Sequence, residues 1–324
     1  MALWSSWSLL IAYGIKQDDA GRSGIPSALS PPRSLSRSGR ASSPEESLEE
    51  IMGVKVAILG TQPTSYWPLD DLVGSWCHDE LGLHDASVPA EGVSLAVIPF
   101  GESQAPYFDG GSGSYLTIDS DPKYSHAYAN ALTVAAWICP LALDNAQTTG
   151  SNDQFVHFVE KAVSPSTDVE WVLRLYNQTN PNRHSRLSFY TFNLGSPAGQ
   201  GNGSYMEYGV SANDETPIEL GKWVFVVGQA EHWISATDRT KGCILWKQAI
   251  EAKRVAADKY GDFNVHPQDG SGPLTVGGME TTAYKGAISH LAIWNRLLSA
   301  SEIASIWTAG TIDLRGTAMY HSYV

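Results

Sequence analysis

From residue 54 onward the chain alternates between short apolar runs and clusters of turn residues. The runs are LTVAAWI (132–138), FVHFVEKAV (155–163), EWVLRLY (170–176), RLSFYTF (186–192), KWVFVVGQA (222–230), CILWKQAI (243–250), PLTVGG (273–278) and AISHLAIW (287–294). Gly, Asn, Asp and Pro clusters such as NQTNPN, GSPAGQGNGS and QDGSGP separate them. Runs of this length between turn signals read as β-strands. Side chains alternate across a strand, so Trp171, Leu173 and Leu175 share one face and Val172, Arg174 and Tyr176 the other. By the same parity Arg186 and Tyr190 share a face of the next strand. LTVAAWI is apolar at both parities, which predicts a central strand covered on both sides. Val54–Leu59 reads as the first strand.

One segment has helical spacing. Ser299 and Glu302 form a capping box, Ile303, Ile306 and Trp307 follow on one face, and Gly310 supplies a stop. Many strands without interleaved helices predict antiparallel sheets packed as a sandwich.

Composition narrows the classes. Hydrophobic residues make up 43% of the 324 positions, enough for a sizeable core, while charged residues are only 17%. The 34 acidic against 21 basic residues give a net charge of −13, which repels phosphate backbones and argues against a nucleic-acid partner. No run is long and apolar enough for a membrane span. Cys77, Cys139 and Cys243 are too few and scattered for a disulfide framework, so all three are expected reduced, with Cys139 buried in its strand.

Residues 1–51 differ from the rest. Segment 21–47 is rich in Ser, Pro, Gly and Arg and reads as disordered. A weak secretory signal with linker, an organelle transit peptide and a non-native extension before Met52 all fit. The last is preferred, because Met52 directly precedes the first apolar run. The expected organisation is therefore a disordered extension, 1–51, and one domain, 52–324.

Five segments in fixed order carry a family resemblance: SYWPLDD (65–71), PYFDGGSGSYLTID (106–119), LTVAAWICP (132–140), LGKWVFVVGQAE (220–231) and YKGAISHLAIWNRLLSASEIASIW (284–307). Together they resemble the laminin G-like, concanavalin A-like lectin/glucanase jelly-roll domains. The resemblance implies an all-β antiparallel jelly-roll β-sandwich with one short C-terminal helix. It also implies carbohydrate or protein ligands, a structural calcium in some relatives, and polysaccharide lyases or glycoside hydrolases elsewhere in the fold. Two positions depart from the pattern. Ile288-Ser289 stands where relatives carry Ile-Asp, and Leu245-Trp246-Lys247-Gln248 replaces a hairpin with a turn glycine, predicting a rebuilt hairpin.

Catalytic signatures are sparse. G-x-S-x-G, H-E-x-x-H and a P-loop are absent. Asp168 and Glu170 have the parity of paired carboxylates but read more simply as a loop acid and a strand-start acid. His157, Arg174, Tyr176, Arg186 and Tyr190 lie on candidate strands; the resemblance implies that a lyase of this fold would use such groups, and solvent-facing or ladder residues of an ordinary sheet are the plainer reading. No catalytic residue is assigned, and the leading reading is a non-catalytic module binding a glycan, such as a cell-surface or particle-surface polysaccharide. An enzyme of the same fold and a structural or protein-interaction domain are the alternatives. An extracellular or surface-associated location accompanies the glycan reading.

The candidate ligand-binding residues are Arg174, Tyr176, Arg186, Tyr190, Tyr205, Tyr208 and Trp233. Arginine forks suit hydroxyls or uronate carboxylates, and aromatic rings stack on sugar faces. For calcium, Asp109 and Asp71 are the candidate ligands, with an Asx turn as the plainer reading of Asp109. The loop CHDELGLHDAS, with His78 and His84, reads as solvated rather than metal-binding.

Overall fold

In the computed structural model the described residues are 53–320, apart from 73, 90, 102, 144–154, 165–167, 178–184, 196–200, 206–217, 232–242 and 252–263. The extension 1–51 lies outside them. In chain order the elements are α1 (Val54–Gly60), β1 (Ser65–Trp67), β2 (Trp76–Cys77), β3 (Ala86–Ser87), β4 (Val93–Phe100), β5 (Ser103–Asp109) and β6 (Leu116–Ile118). Next come α2 (His126–Ala129), β7 (Ala131–Ala142), β8 (Phe155–Lys161), β9 (Trp171–Tyr176), β10 (Leu187–Phe192) and β11 (Gly201–Tyr205). The series ends with β12 (Val224–Glu231), β13 (Ile244–Lys247), β14 (Ile250–Glu251), β15 (Leu274–Val276), β16 (Lys285–Trp294) and α3 (Ala300–Tyr320).

The strands form two antiparallel sheets. The first runs β14-β13-β12-β7-β16-β5-β4, with β1 also on β16. The second runs β11-β10-β9-β8-β15-β6-β3-β2. The core between them takes one parity from each strand: Leu132, Val134, Ala136 and Ile138 of β7 meet Leu173 and Leu175 of β9 and Phe189 of β10. As its two-sided apolar pattern predicts, β7 is central, between β12 and β16.

The other parity of the first sheet builds a second apolar layer. Ala135, Trp137, Phe225, Val227, Ala292 and Trp294 pack beneath α1 and α3 through Val54, Ile58, Ile303 and Ile306. This layer explains two corrections to the sequence reading. Val54–Leu59 is helical, not a strand: Val54, Ala57 and Ile58, at i, i+3 and i+4, are buried. The Val54 N–H donates to Asp313 on α3 at 2.8 Å, so a partner 259 residues away caps this helix. Gly310 does not stop the C-terminal helix, which continues to Tyr320. Gly310 is instead where α3 lies closest to the sheet, since a Cβ there would sit 2.3 Å from the Trp137 ring.

Leu245–Gln248 does form a tight hairpin. Gln248 and Ala249, at φ 52 and 61, make its two-residue turn. This is the left-handed conformation such turns require, held here without glycine. On β16 a bulge between Ser289 and Ala292 places His290 at φ 51. Residues 285–287 pair with β5 before the bulge, and 291–293 pair with β1 after it. Cys77, Cys139 and Cys243 are buried, and none of them forms a disulfide.

Candidate functional site

The second sheet also has a face the core does not use, and there the residues are polar and aromatic. Strand register arranges eight of them, together with Val172, as three rows across β8, β9 and β10 with the residue before it. Phe155 faces Tyr176, whose N–H donates to the Arg186 carbonyl. His157 faces Arg174, which faces Ser188. Glu160 faces Val172, which faces Tyr190. On the next strand Tyr205 occupies the register position beside Ser188.

Arg174 is the centre of this grid. Its guanidinium carbon lies 3.6 Å from the Phe155 ring centroid, 4.9 Å from Tyr190 and 5.9 Å from Tyr176. The Tyr176 hydroxyl donates to that of Tyr190 at 3.2 Å. Arg174 is only 5% exposed. Burial pushes its guanidinium down from the ordinary value, while the neighbouring Tyr176, Tyr190 and Glu160 oppose that shift. The group stays cationic, since arginine does not lose its proton in proteins.

The surroundings leave this cation incompletely satisfied. Among the described residues no carboxylate lies within ion-pair distance of Arg174, and its Nε has no hydrogen-bond partner. Glu160 is spent elsewhere: it accepts from His157 Nδ1 at 2.8 Å, Thr275 Oγ1 at 3.5 Å and the Met279 N–H at 3.4 Å. A desolvated cation–π contact is worth about 2 kcal/mol. The effective cost of burying one ion is several kcal/mol. The rings therefore offset only part of the cost of placing Arg174 here.

His157 is oriented by the same network. Its Nδ1 is hydrogen-bonded to Glu160 Oε2 at 2.8 Å, which fixes the ring orientation and turns Nε2 to the opposite side. That Nε2 is buried and has no partner. At the end of the grid Phe155 and Arg186 are half-buried, whereas Tyr176 and Tyr190 are buried.

The other sequence candidates fall as follows. Tyr208 and Trp233 lie outside the described residues. Asp109 is exposed and forms the Asx turn, accepting the Gly111 N–H at 2.7 Å. Asp71 accepts the His78 N–H at 3.1 Å. Among the described residues no group of three or more His, Cys, Asp or Glu side chains is placed to hold a metal ion. Asp168 and Glu170 are not a catalytic pair: Asp168 accepts the Gly195 N–H at 3.1 Å, and Glu170 is buried in an ion pair with Lys161 at 3.0 Å. His78 pairs with Asp85 and His84 with Asp121, so each histidine of the acidic loop is engaged locally.

Sequence parity brought Arg174 and Tyr176 to one face but placed them outward toward solvent. Their burial is a finding of the structure. His157 and Glu160 complete the grid, and Glu160 was missed. Its signal was weak, because the bulge between His157 and Val159 shifts the parity that counting along β8 would give.

The described architecture is that of a lectin-type sandwich. A family model described as the concanavalin A-like lectin/glucanases superfamily matches residues 109–304, and the chain belongs to that superfamily. No curated protein matches it in sequence. Among solved structures, the botulinum neurotoxin serotype D binding domain matches with a TM-score of 0.51 at 13% identity, over 78% of this chain and 52% of that one. The binding domain of Paraclostridial Mosquitocidal Protein 1 matches with a TM-score of 0.50 at 13% identity, over 75% and 51%. Domain 4 of AbnA, a GH43 extracellular arabinanase of Geobacillus stearothermophilus solved with arabinotriose, has a TM-score of 0.45 at 15% identity, over 75% and 97%. The chain thus spans about half the length of the two toxin binding domains. These likenesses show the fold. No helix among the described residues is long and apolar enough to cross a membrane.

Proposed function

We propose that this chain is a non-catalytic binding module and that its ligand is a carbohydrate, taken on the second sheet around Arg174. The observation that carries this reading is the contrast within that sheet. Its core face is apolar, and its other face gathers a cation, two tyrosine hydroxyls, a histidine and a phenylalanine that the core does not require. Aromatic faces beside fixed polar groups are what a sugar ring needs, one stacking on its C–H face and the other bonding its hydroxyls. The toxin structures of similar fold are themselves binding domains, which supports a recognition role. A polysaccharide on a cell or particle surface is the partner this reading favours, with an extracellular or surface-associated location.

Affinity electrophoresis of the full chain through gels carrying a panel of neutral and acidic polysaccharides tests the proposal. Retardation by at least one polymer is expected. Uniform mobility across the panel overturns it. A structural calcium at Asp109 or Asp71, each of which also accepts a backbone N–H, remains part of the proposal. Loss of retardation on adding chelator would tie binding to the ion, and unchanged retardation would remove calcium from the reading.

One observation favours a second reading. The two tyrosine hydroxyls 3.2 Å apart beside Arg174 and His157 resemble the groups a polysaccharide lyase uses to neutralise a uronate and move a proton. Release of unsaturated oligosaccharides absorbing in the ultraviolet during the same incubations would replace the non-catalytic reading with this one.

A further inference from the structure

The roof over the first sheet is attached by side chains. A helix keeps its N–H···O=C bonds to itself, so α1 and α3 add no ladder to the strands they cover. The Val54 N–H donates to Asp313 at 2.8 Å, the Trp294 indole to Thr61 Oγ1 at 3.0 Å, and Arg296 to the Thr61 carbonyl at 2.7 Å. Beside these bonds the holding force is apolar packing. Such elements can lift as a local unit while the ladders of β7, β12 and β16 persist.

Into this layer the fold inserts an ionisable ring. The bulge on β16 sets His290 at φ 51, and the residue is 5% exposed. Its ring meets Phe100 of β4 edge to face at 4.7 Å, stacks on Tyr66 of β1 at 6.0 Å, and holds the Tyr66 hydroxyl through Nδ1 at 2.6 Å. Phe100 in turn packs on Trp137 of β7 and on Trp223. The charge that reaches the ring is that of Lys55 on α1, which has the sign of an imidazolium. Asp70, Glu80 and, on α3, Asp313 act on the Tyr66 hydroxyl, and Lys55 is itself paired with Glu80. A proton entering here meets an aromatic wall and a like charge, and among the described residues no carboxylate pairs with the ring.

We propose that α1 and α3 are an acid-released lid: when His290 takes a proton, the two helices leave the first sheet and let the ring reach water, while both sheets keep their ladders. The layer of Trp137, Phe225 and Trp294 is then covered at neutral pH and presented in acid. This device lies on the sheet opposite the proposed binding grid and works with or without a glycan there. Covered, the ring has its pKa held down at about 3, by burial first and Lys55 second; lifted, it returns to the ordinary 6.5. The preference for the closed lid is full above pH 6.5 and is lost as pH falls toward 3. Lifting is favoured by the factor 1 + 10^(6.5 − pH), which is close to 1 at pH 7.5 and about 30 at pH 5.

Hydrogen–deuterium exchange of the full chain at pH 7.5 and pH 5, corrected for intrinsic exchange, tests this. Released helices of 7 and 21 residues keep little protection by themselves, because docking supplies most of their stability. Amides of α1 and of the first half of α3 should therefore lose about thirty-fold in protection at pH 5, while those of β7 and β9 keep theirs. His290→Asn, which takes no charge, should show the same protection at both pH values. The wild-type comparison needs no variant, so it decides even if His290→Asn folds poorly. Equal protection of α1 and α3 at the two pH values overturns the proposal. So does a loss shared equally by β7 and β9, which would make His290 a lever on global unfolding and not on a lid. A loss that persists in full in His290→Asn would place the trigger on another group and overturns it as well.

Discussion

The two sheets each carry a face turned away from the shared core, and the two faces are filled differently. On the first sheet that face is apolar and roofed by α1 and α3, with Trp137, Trp294 and Phe225 beneath Ile303 and Ile306. On the second it is a grid around a buried cation whose Nε has no partner. Apolar burial stabilises a fold by roughly 25 cal/mol per Å² removed from water, so the roofed face has a sufficient thermodynamic reason to exist. A buried, incompletely paired arginine does not have one, because apolar groups of similar volume do the same packing at lower cost. The difference separates the face that holds the molecule together from the face on which the proposed binding site lies.

The largest expected effects test that separation directly. Trp294 is fully buried and its indole N–H donates to Thr61 Oγ1 at 3.0 Å. Trp294→Ala should cost about 3–5 kcal/mol. Arg174→Met should leave stability unchanged or raise it by about 1–4 kcal/mol, since it relieves an incompletely compensated buried charge and Glu160 keeps its own partners. Urea melts of the two variants measure the contrast. A loss on Arg174→Met as large as that on Trp294→Ala would make the grid a structural pillar and break the comparison.

The roofed face also holds a histidine kept neutral. His290 sits among Tyr66 and Phe100, and its Nδ1 is hydrogen-bonded to the Tyr66 hydroxyl at 2.6 Å. Burial, with a smaller contribution from Lys55, pushes its pKa from 6.5 down to about 3. The unfolded chain therefore binds a proton that the folded one refuses between these values. Stability from this residue is full above pH 6.5 and is lost progressively as pH falls toward 3. The loss approaches several kcal/mol. Asparagine tolerates the left-handed backbone and can still accept from Tyr66. His290→Asn should thus flatten the decline in melting temperature, most cleanly between pH 6.5 and 5, above the carboxylate range. An unchanged slope there would mean His290 titrates freely.

How much of this was legible in the sequence follows the range of the forces involved. Strand parity, the central place of β7 and the capping box depend on neighbours a few residues apart, and each was readable. The helicity of Val54–Gly60 was not, because val-x-val-x-ile satisfies strand alternation, while the cap from Asp313 arrives only with the fold. Gly310 carried the local signature of a helix end, and its use as a close approach to Trp137 depends on how α3 lies across the sheet. At the site, parity showed that Arg174 and Tyr176 share a face. Their burial could not be read from parity, because alternation tells which residues leave the core and not what covers them afterward.

Gly310 gives a prediction whose sign is informative. In a free helix Gly→Ala stabilises by about 1 kcal/mol. Here the added Cβ would lie 2.3 Å from a Trp137 ring carbon, and either α3 or the indole must move. Overpacking of this kind costs typically about 1–3 kcal/mol, so Gly310→Ala should destabilise by roughly 1–2 kcal/mol net. A more stable variant would show that α3 sits loosely and that the roof contributes less than its apolar contacts suggest.

The smallest expected effect concerns the leading edge of the roof, where charge rather than packing is at work. Glu302 closes the capping box by accepting the Ser299 N–H at 2.8 Å, while Ser299 Oγ accepts the Glu302 N–H at 3.3 Å. Arg296 donates to the same carboxylate at 2.6 and 3.1 Å. The hydrogen bond from Arg296 is the main cause that lowers the Glu302 pKa from 4.5 to about 2. A depressed carboxylate contributes its stability above the unfolded value and loses it as pH falls through the folded one. This contribution is therefore complete above about pH 4.5 and gone below about pH 2. Both side chains keep substantial solvent contact, 43% for Arg296 and 29% for Glu302, and screening cuts the effect to about 1 kcal/mol or less. Glu302→Gln preserves the reach to Ser299 and removes only the charge. Its melts should fall slightly below those of the wild type at pH 6 and coincide with them at pH 2. A deficit that persists unchanged at pH 2 would assign the loss to cap geometry, leaving the roof's edge with no electrostatic share in holding the apolar face closed.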